Sequence, residues 1–419
     1  MFRISVIFGF FPFYFRKICQ KNLQPRIADL ADLKQFDIGP IGNALRQKEE
    51  DHMDIRAAIV EASDRPMVIR PLTIDAPRAG ELLVRLVATG VCHTDATMWQ
   101  QGVPVPQPVV LGHEGAGIVE QVGEGVTDIC PGDPVVMSYN SCGTCPTCCL
   151  DHSSYCHDFF PRNFFGTRPD GSSALKAPDG SSVFANIFGQ SSFATHAICH
   201  VRNAVVVPRD LDLRIAGPLG CGILTGAGAV MNALKVQPGQ SVVILGAGSV
   251  GLSAIMAAKV VGAASIIAID LNPDRLALAT ELGATLTING QSENPVARVL
   301  DMLPAGVDFA IDCTGLPAVI QQGIAMLGVR GTCGIVGAAA PGTMVQADVS
   351  HIMSGGRTIR GIVEGDADPK SFIPHLVALH QAGQFPFDRL IRFYPFDAIN
   401  DAFHDAESGA AIKPVLLFD

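Results

Sequence analysis

Cys142, Cys145, Cys148 and Cys156 follow one another at spacings of three, three and eight residues, and no other feature restricts the chain so tightly. Short Cys-x-x-Cys steps let one loop wrap a zinc ion and fill all four tetrahedral positions with thiolates. Such a site has no position left for substrate, so its role is structural. Disulfides are the competing use of these thiols, but they serve small secreted domains with poor cores. A chain of 419 residues with 48% hydrophobic content does not need them. Cys149 adds a fifth thiol beside Cys148, and the neighbouring spacing favours Cys148 as the ligand. Cys19, Cys130, Cys199, Cys313 and Cys333 read as small hydrophobes with no assigned role.

A second local signature lies a hundred residues further on. Residues 241–245 form a short apolar run that predicts a buried strand, Gly246-x-Gly248-x-x-Gly251 predicts a tight turn, and residues 252–261 predict a helix rich in small residues. The free N–H groups at such a helix N-terminus hold a pyrophosphate. Glycine-rich turns are common, so this motif alone carries little. The next predicted strand, 266–269, however, leads into Asp270, 19 residues beyond Gly251, where an acid accepts hydrogen bonds from an adenosine ribose. A carboxylate there also repels a 2′-phosphate, which predicts NAD rather than NADP. Further strands at 307–311 and 332–336, with helices at 275–282 and 318–327 between, continue the rhythm of a doubly wound parallel sheet. Before this region, alternation at 82–88 and 117–122 predicts short antiparallel strands.

Cys92, His113 and Cys221 form a further set of soft ligands, but separations this long carry no geometric information by themselves. Two thiolates and an imidazole would leave the fourth zinc position open, as a catalytic ion requires. Local sequence decides the matter. Gly90-Val91-Cys92-His93-Thr94-Asp95, Gly112-His113-Glu114-Gly115-Ala116-Gly117, the four-cysteine lobe, Leu219-Gly220-Cys221-Gly222 and Gly246-Ala247-Gly248-Ser249-Val250-Gly251 occur in an order that resembles the zinc-dependent medium-chain alcohol dehydrogenases. The resemblance runs over residues 53–419.

It implies an α/β plus β architecture: a Rossmann domain over 222–363, and a GroES-like β-barrel catalytic domain over 53–221 that residues 364–419 complete. It implies two zinc ions and NAD as cofactors, with Cys92, His113 and Cys221 on the catalytic ion. Thr94 matches the hydroxyl that meets the alcohol oxygen. Asp95 matches the carboxylate that orients the histidine ligand, and Glu114 the acid that approaches the metal during ligand exchange. His93 and Lys413 match groups on the cofactor pyrophosphate, Thr225 a residue against the nicotinamide, and Arg275 a cation beside the adenosine ribose, which leaves room for some use of NADP. Gly246, Gly248, Ser249, Val250 and Gly251 form the dinucleotide turn, and Asp270 its ribose acceptor. One position departs from the pattern. Many relatives carry a proton-relay histidine where this chain has Thr97, so the proton leaves either through Thr94 and the cofactor ribose or through His93.

The segments 163–172 and 188–195 resemble the aryl-alcohol, or benzyl-alcohol, dehydrogenase branch, which implies a primary alcohol with a flat apolar substituent and oxidation to the aldehyde. Trp99 and Phe188 are its pocket candidates. The competing branch acts on S-(hydroxymethyl)glutathione or long-chain aliphatic alcohols and needs basic groups in the cleft, which the sequence does not place. A zinc-thiolate redox sensor without turnover is the non-catalytic alternative, and the complete ligand and fingerprint set argues against it. A net charge of −10 without a basic stripe disfavours nucleic acid. Residues 4–15 are apolar but too short to span a bilayer, so no membrane partner is expected. Residues 1–52 are expected to be disordered, or absent if translation starts near Met53. A small-molecule alcohol or aldehyde partner, a cytoplasmic location and a homodimer or homotetramer complete the expectations.

Overall fold

The computed structural model describes residues 52–418. The N-terminal extension lies outside the described residues. Three sheets carry the described residues. The six-stranded one is parallel throughout, in the order Leu286–Asn289, Ser265–Asp270, Ser241–Leu245, Val307–Asp312, Leu327–Ile335, Thr358–Gly361. Strand order reverses between Ser241–Leu245 and Val307–Asp312, and that switch point opens a crevice at the carboxyl ends of the strands. Helices begin here with an Asx side chain capping the backbone ahead of proline: Asn272 accepts from Asp274 N and Arg275 N before Pro273, and Asn294 from Val296 N and Ala297 N before Pro295. Both devices are local, since the side-chain oxygen satisfies otherwise orphaned N–H groups and proline supplies a helical φ.

The predicted 252–261 helix starts earlier, as Ser249–Val260, because Gly248 serves as its N-cap. Strand Leu286–Asn289, helix Pro295–Met302 and edge strand Thr358–Gly361 complete the sheet beyond what periodicity predicts.

The other two sheets form the twisted barrel. In one, strand Glu81–Gly90 pairs antiparallel with Gly115–Val122, with His196–His200 and with the C-terminal strand Lys413–Leu417. In the other, His52–Val60 pairs with Val68–Asp75 and with Val109–Val110. Phe193, Leu72, Ile74, Val109 and Leu111 are buried between them. The last pairing matters most for the site, because it lays Val415 opposite Gly90 and so brings Lys413 beside the segment that carries Cys92. Helix Pro369–Gln381 contributes Phe372, Ile373, Leu376 and Val377 to the core that also holds Val230, Leu252 and Ile255 of the dinucleotide-binding region. Among the described residues no single helix is long and apolar enough to cross a membrane.

Candidate active site

Cys92 ends a barrel segment as the N-cap of helix His93–Trp99, and Asp95 in its first turn is fully buried. The Asp95 carboxylate accepts three hydrogen bonds: Oδ1 from His113 Nδ1 at 2.9 Å and Gly112 N at 3.0 Å, Oδ2 from Cys92 N at 3.3 Å. One carboxylate therefore ties the two ligand-bearing segments together and fixes the imidazole with Nδ1 as donor. His113 Nε2 is buried and has no hydrogen-bond partner. A buried polar atom left in this way is costly unless something completes it. The donor atoms of Cys92, His113, Glu114 and Cys221 all lie within 4.8 Å of one another. Two thiols and an aimed imidazole nitrogen are a donor set that fits zinc. A hydrogen bond from Cys221 holds the Cys92 thiol well below its ordinary range, and the same contact pushes Cys221 up.

The second group, Cys142, Cys145, Cys148 and Cys156, also gathers its sulfurs within 4.8 Å. Backbone N–H groups of Thr144 and Cys145 point at Cys142 Sγ, and that of Cys142 at Cys156 Sγ, at 3.2–3.4 Å. Such donors favour thiolates. The Thr147 hydroxyl is the main group that pulls the Cys145 thiol down, to about 5. Cys149 is exposed, stands outside the group and directs its thiol at the Thr144 carbonyl, 3.5 Å away. Among the described residues these two groups are the ones with metal-ligating geometry.

Glu114 and Lys413 meet in the interior. Lys413 Nζ lies 2.9 and 3.0 Å from the two Glu114 carboxylate oxygens and 3.2 Å from the Val91 carbonyl, and Gly222 N donates to Glu114 Oε1 at 3.2 Å. Both side chains are almost wholly buried, and burial pushes the Glu114 carboxyl up to about 7. Lys413 is thus tied to the acid beside the ligand set while also lining the cleft that holds His93 and the Gly248–Gly251 turn, of about 390 Å³.

A larger cleft of about 850 Å³ is bordered by Gly246, Asp270, Arg275 and Thr314, and Arg275 borders both. Gly246 sits at φ +95°, and a Cβ on Gly251 would lie 1.9 Å from the Gly246 carbonyl oxygen, so this turn admits no side chain at either position. Asp270 accepts from Ala247 N, Leu271 N and Asn272 N at 2.6–2.8 Å, which anchors the acid at the strand end. The Arg275 Nε is buried without a partner. Together the clefts offer a helix N-terminal turn, a carboxylate at a strand end and a cation along one crevice, an arrangement that suits a dinucleotide.

Thr94 lies partly exposed on the first turn of the ligand-bearing helix. Thr97 spends its hydroxyl on the His93 carbonyl at 3.0 Å, so it is bound to its own helix rather than offered to a relay. Thr225 donates to Glu364 Oε2 at 3.2 Å. Glu364 is a buried carboxylate that sequence reasoning missed; burial pushes it up to about 7, and the charges of His113 and Cys92 act on it. The acidic pair around Gly365 was its one visible trace. Phe188 is buried and stacks on the His113 ring with centroids 4.5 Å apart and planes inclined by 27°. Phe164 and Phe159 meet Phe188 edge-on. Trp99 instead packs on Phe403 and donates its indole N–H to the Arg65 carbonyl, which makes it a packing residue.

Residues 78–209 match the alcohol dehydrogenase GroES-like domain family, and residues 249–380 the zinc-binding dehydrogenase family. The chain is 47% identical over 371 residues to a geraniol dehydrogenase from Castellaniella defragrans, covering 88% of this chain and 99% of the relative. Among solved structures, an alcohol dehydrogenase zinc-binding domain protein from Burkholderia ambifaria superposes with a TM-score of 0.87 at 51% identity, covering 88% of this chain and all of the other. The benzyl alcohol dehydrogenase from Acinetobacter calcoaceticus does so at 0.85 and 47%, with the same coverage.

Proposed function

From the premise that this chain belongs to the zinc-dependent medium-chain alcohol dehydrogenases, we propose that it oxidises primary alcohols whose carbinol carbon adjoins a flat π system, with NAD as acceptor. Benzyl alcohol is the type substrate. Geraniol, an allylic alcohol named for one relative, satisfies the same description. The observation that carries the reading is the aromatic stack on the ligand set: Phe188 covers His113, and Phe164 and Phe159 buttress it. A ring next to the reacting carbon gains offset or edge contacts from such a wall, about 0.5–1.5 kcal/mol beyond area burial.

In this reading Cys92, His113 and Cys221 hold the catalytic zinc, and Cys142, Cys145, Cys148 and Cys156 the structural one. When bound, the zinc supplies a Lewis acid toward an alcohol oxygen and the nicotinamide a hydride acceptor. The protein's own groups do the rest. Asp95 keeps the proton on His113 Nδ1 and so leaves the Nε2 lone pair free to ligate a metal. Thr94 Oγ1 receives the substrate hydroxyl proton as a hydrogen bond. With the Thr97 hydroxyl engaged by the His93 carbonyl, the two routes for that proton are Thr94 with the cofactor ribose, which this reading takes, and the His93 side chain. His93 and the Gly248–Gly251 turn face the pyrophosphate, with Ser249 and Val250 at the helix start, and Asp270 with Arg275 the adenosine ribose. Glu114, charge-paired with Lys413, keeps a second acid within reach of the metal donors. Assembly as a homodimer or homotetramer and a cytoplasmic location belong to the same proposal.

The deciding experiment compares NADH formation from benzyl alcohol, geraniol, hexanol and formaldehyde with glutathione. A kcat/KM for benzyl alcohol or geraniol about ten-fold above hexanol, a difference near 1.4 kcal/mol, is expected. Phe188→Ala should erase most of it. A preference for hexanol or the glutathione adduct would overturn the substrate reading and leave the family assignment intact.

A further inference from the structure

Three consecutive residues, Glu364, Gly365 and Asp366, follow the last strand of the six-stranded sheet in left-handed conformation, with φ of 49°, 64° and 50°. Only glycine occupies that region freely, so a run of this kind persists where its surroundings over-determine it. Two parts of the molecule do so. On one side the turn is seated on helix Gly222–Gly228, backbone on backbone. A Cβ on Gly228 would lie 2.4 Å from the Gly365 carbonyl oxygen, and one on Gly365 would lie 2.8 Å from Gly228 Cα. From this helix Thr225 reaches Glu364.

On the other side stands the four-cysteine lobe. Tyr155, the residue before Cys156, donates its hydroxyl to the Asp366 carboxylate, which also takes the Arg360 guanidinium. The same hydroxyl oxygen accepts from Val363 N at 3.3 Å. Tyr139, three residues before Cys142, donates to the Ala367 carbonyl at 2.6 Å and meets the Ser153 hydroxyl at 2.7 Å. Both flanks of the turn, 363 and 366–367, are therefore held by tyrosines that the lobe carries.

We propose that Tyr155 and Tyr139 are positioning residues that hold the Glu364 turn against Thr225, and that through them the four-cysteine lobe sets how tightly the nicotinamide half of the dinucleotide is bound. The proposal rests on the reading of Thr225 as a nicotinamide-side residue. Its physical basis is preorganisation. Once a hydroxyl is removed, a turn with two strained non-glycine residues relaxes, and the incoming cofactor has to restore it at the expense of affinity. The adenosine half, bound at Asp270 and Arg275 on another part of the crevice, does not feel the change.

The test uses the zinc-loaded enzyme carrying Tyr155→Phe, which removes one oxygen. Calorimetric Kd values are measured for NADH and for ADP-ribose, which lacks the nicotinamide. NADH affinity should fall about ten-fold, the scale of one lost hydrogen bond to a charged group, while ADP-ribose changes less than about two-fold. Equal weakening of both ligands, or no weakening of either, overturns the proposal. Thr225→Val separates the premises. If it leaves the ratio of the two affinities unchanged, the nicotinamide-side reading fails and the proposal with it; if it shifts the ratio while Tyr155→Phe does not, the coupling through the lobe alone fails. Should Tyr155→Phe lose zinc or unfold, Tyr139→Phe, which gives up the Ala367 contact, decides by the same comparison.

Discussion

Asp95 Oδ1 lies 2.9 Å from His113 Nδ1, with both side chains fully buried, and this contact aims Nε2 at the thiols of Cys92 and Cys221. The same carboxylate caps Cys92 N, so orientation of the histidine and placement of the first cysteine have one cause.

Asp95→Asn keeps the shape of that side chain but weakens its hold on the histidine tautomer. Zinc affinity at the Cys92, His113, Cys221 group should fall about 10–100-fold, the usual effect of losing an orienting carboxylate. Chelator competition followed by metal analysis should find one zinc per chain where the parent keeps two. Equal chelator resistance in parent and variant would contradict the role given to Asp95.

Neighbouring thiols in the lobe should behave oppositely. Cys148→Ala removes a member of the four-sulfur group and should cost about 4 kcal/mol or more, in the range of losing a structural metal, with one zinc fewer. Cys149→Ala, at an exposed thiol outside the group, should stay within about 0.5 kcal/mol and keep both ions. Denaturant titration with zinc analysis separates the two.

The glycines of the dinucleotide turn offer a paired contrast. A methyl on Gly251 would meet the Gly246 carbonyl at 1.9 Å, so Gly251→Ala should destabilise by about 1–3 kcal/mol through overpacking. Gly248 has open space around its would-be Cβ and an extended backbone that alanine adopts. Gly248→Ala should therefore melt like the parent yet bind NADH more weakly, since the methyl occupies the approach of the pyrophosphate. An unchanged NADH Kd in Gly248→Ala would argue against placing the cofactor at this turn.

Asp270 presents its charge at the end of strand Ser265–Asp270 while its oxygens anchor three backbone N–H groups. Asp270→Ser retains an acceptor and removes the charge. The ratio of kcat/KM for NAD over NADP should fall at least about ten-fold, equivalent to about 1.4 kcal/mol. Arg275 lines the same cleft, so the variant keeps a cation there for a 2′-phosphate. An unchanged ratio would remove Asp270 from cofactor selection.

Much of the fold was legible because its signals are short-ranged. The apolar run 241–245 and the glycine turn each depend on a few adjacent residues, whereas the Asx-Pro helix starts at Asn272-Pro273 and Asn294-Pro295 show only in the folded chain. The helix start at Ser249 was read late because Gly248 caps through its backbone without a side-chain signal. Edge strand Thr358–Gly361 is mostly exposed and carries little apolar pattern, which is why periodicity passed over it.

Local sequence is enough for the four-cysteine lobe, whose members are close enough along the chain that spacing is geometry, and for the strand–turn–helix built around Gly246, Gly248 and Gly251. Only the tertiary structure decided that Cys92, His113 and Cys221 converge, that Lys413 from the C-terminal strand neutralises Glu114, and that Thr97 is spent on its own helix. It alone placed Glu364 against Thr225 and tied that turn to the lobe through Tyr139 and Tyr155. The reason is range. Capping, turns and metal knuckles are set by neighbours within one or two turns of chain, whereas a buried carboxylate takes its meaning from whatever the sheet pairings bring within about 4 Å of it.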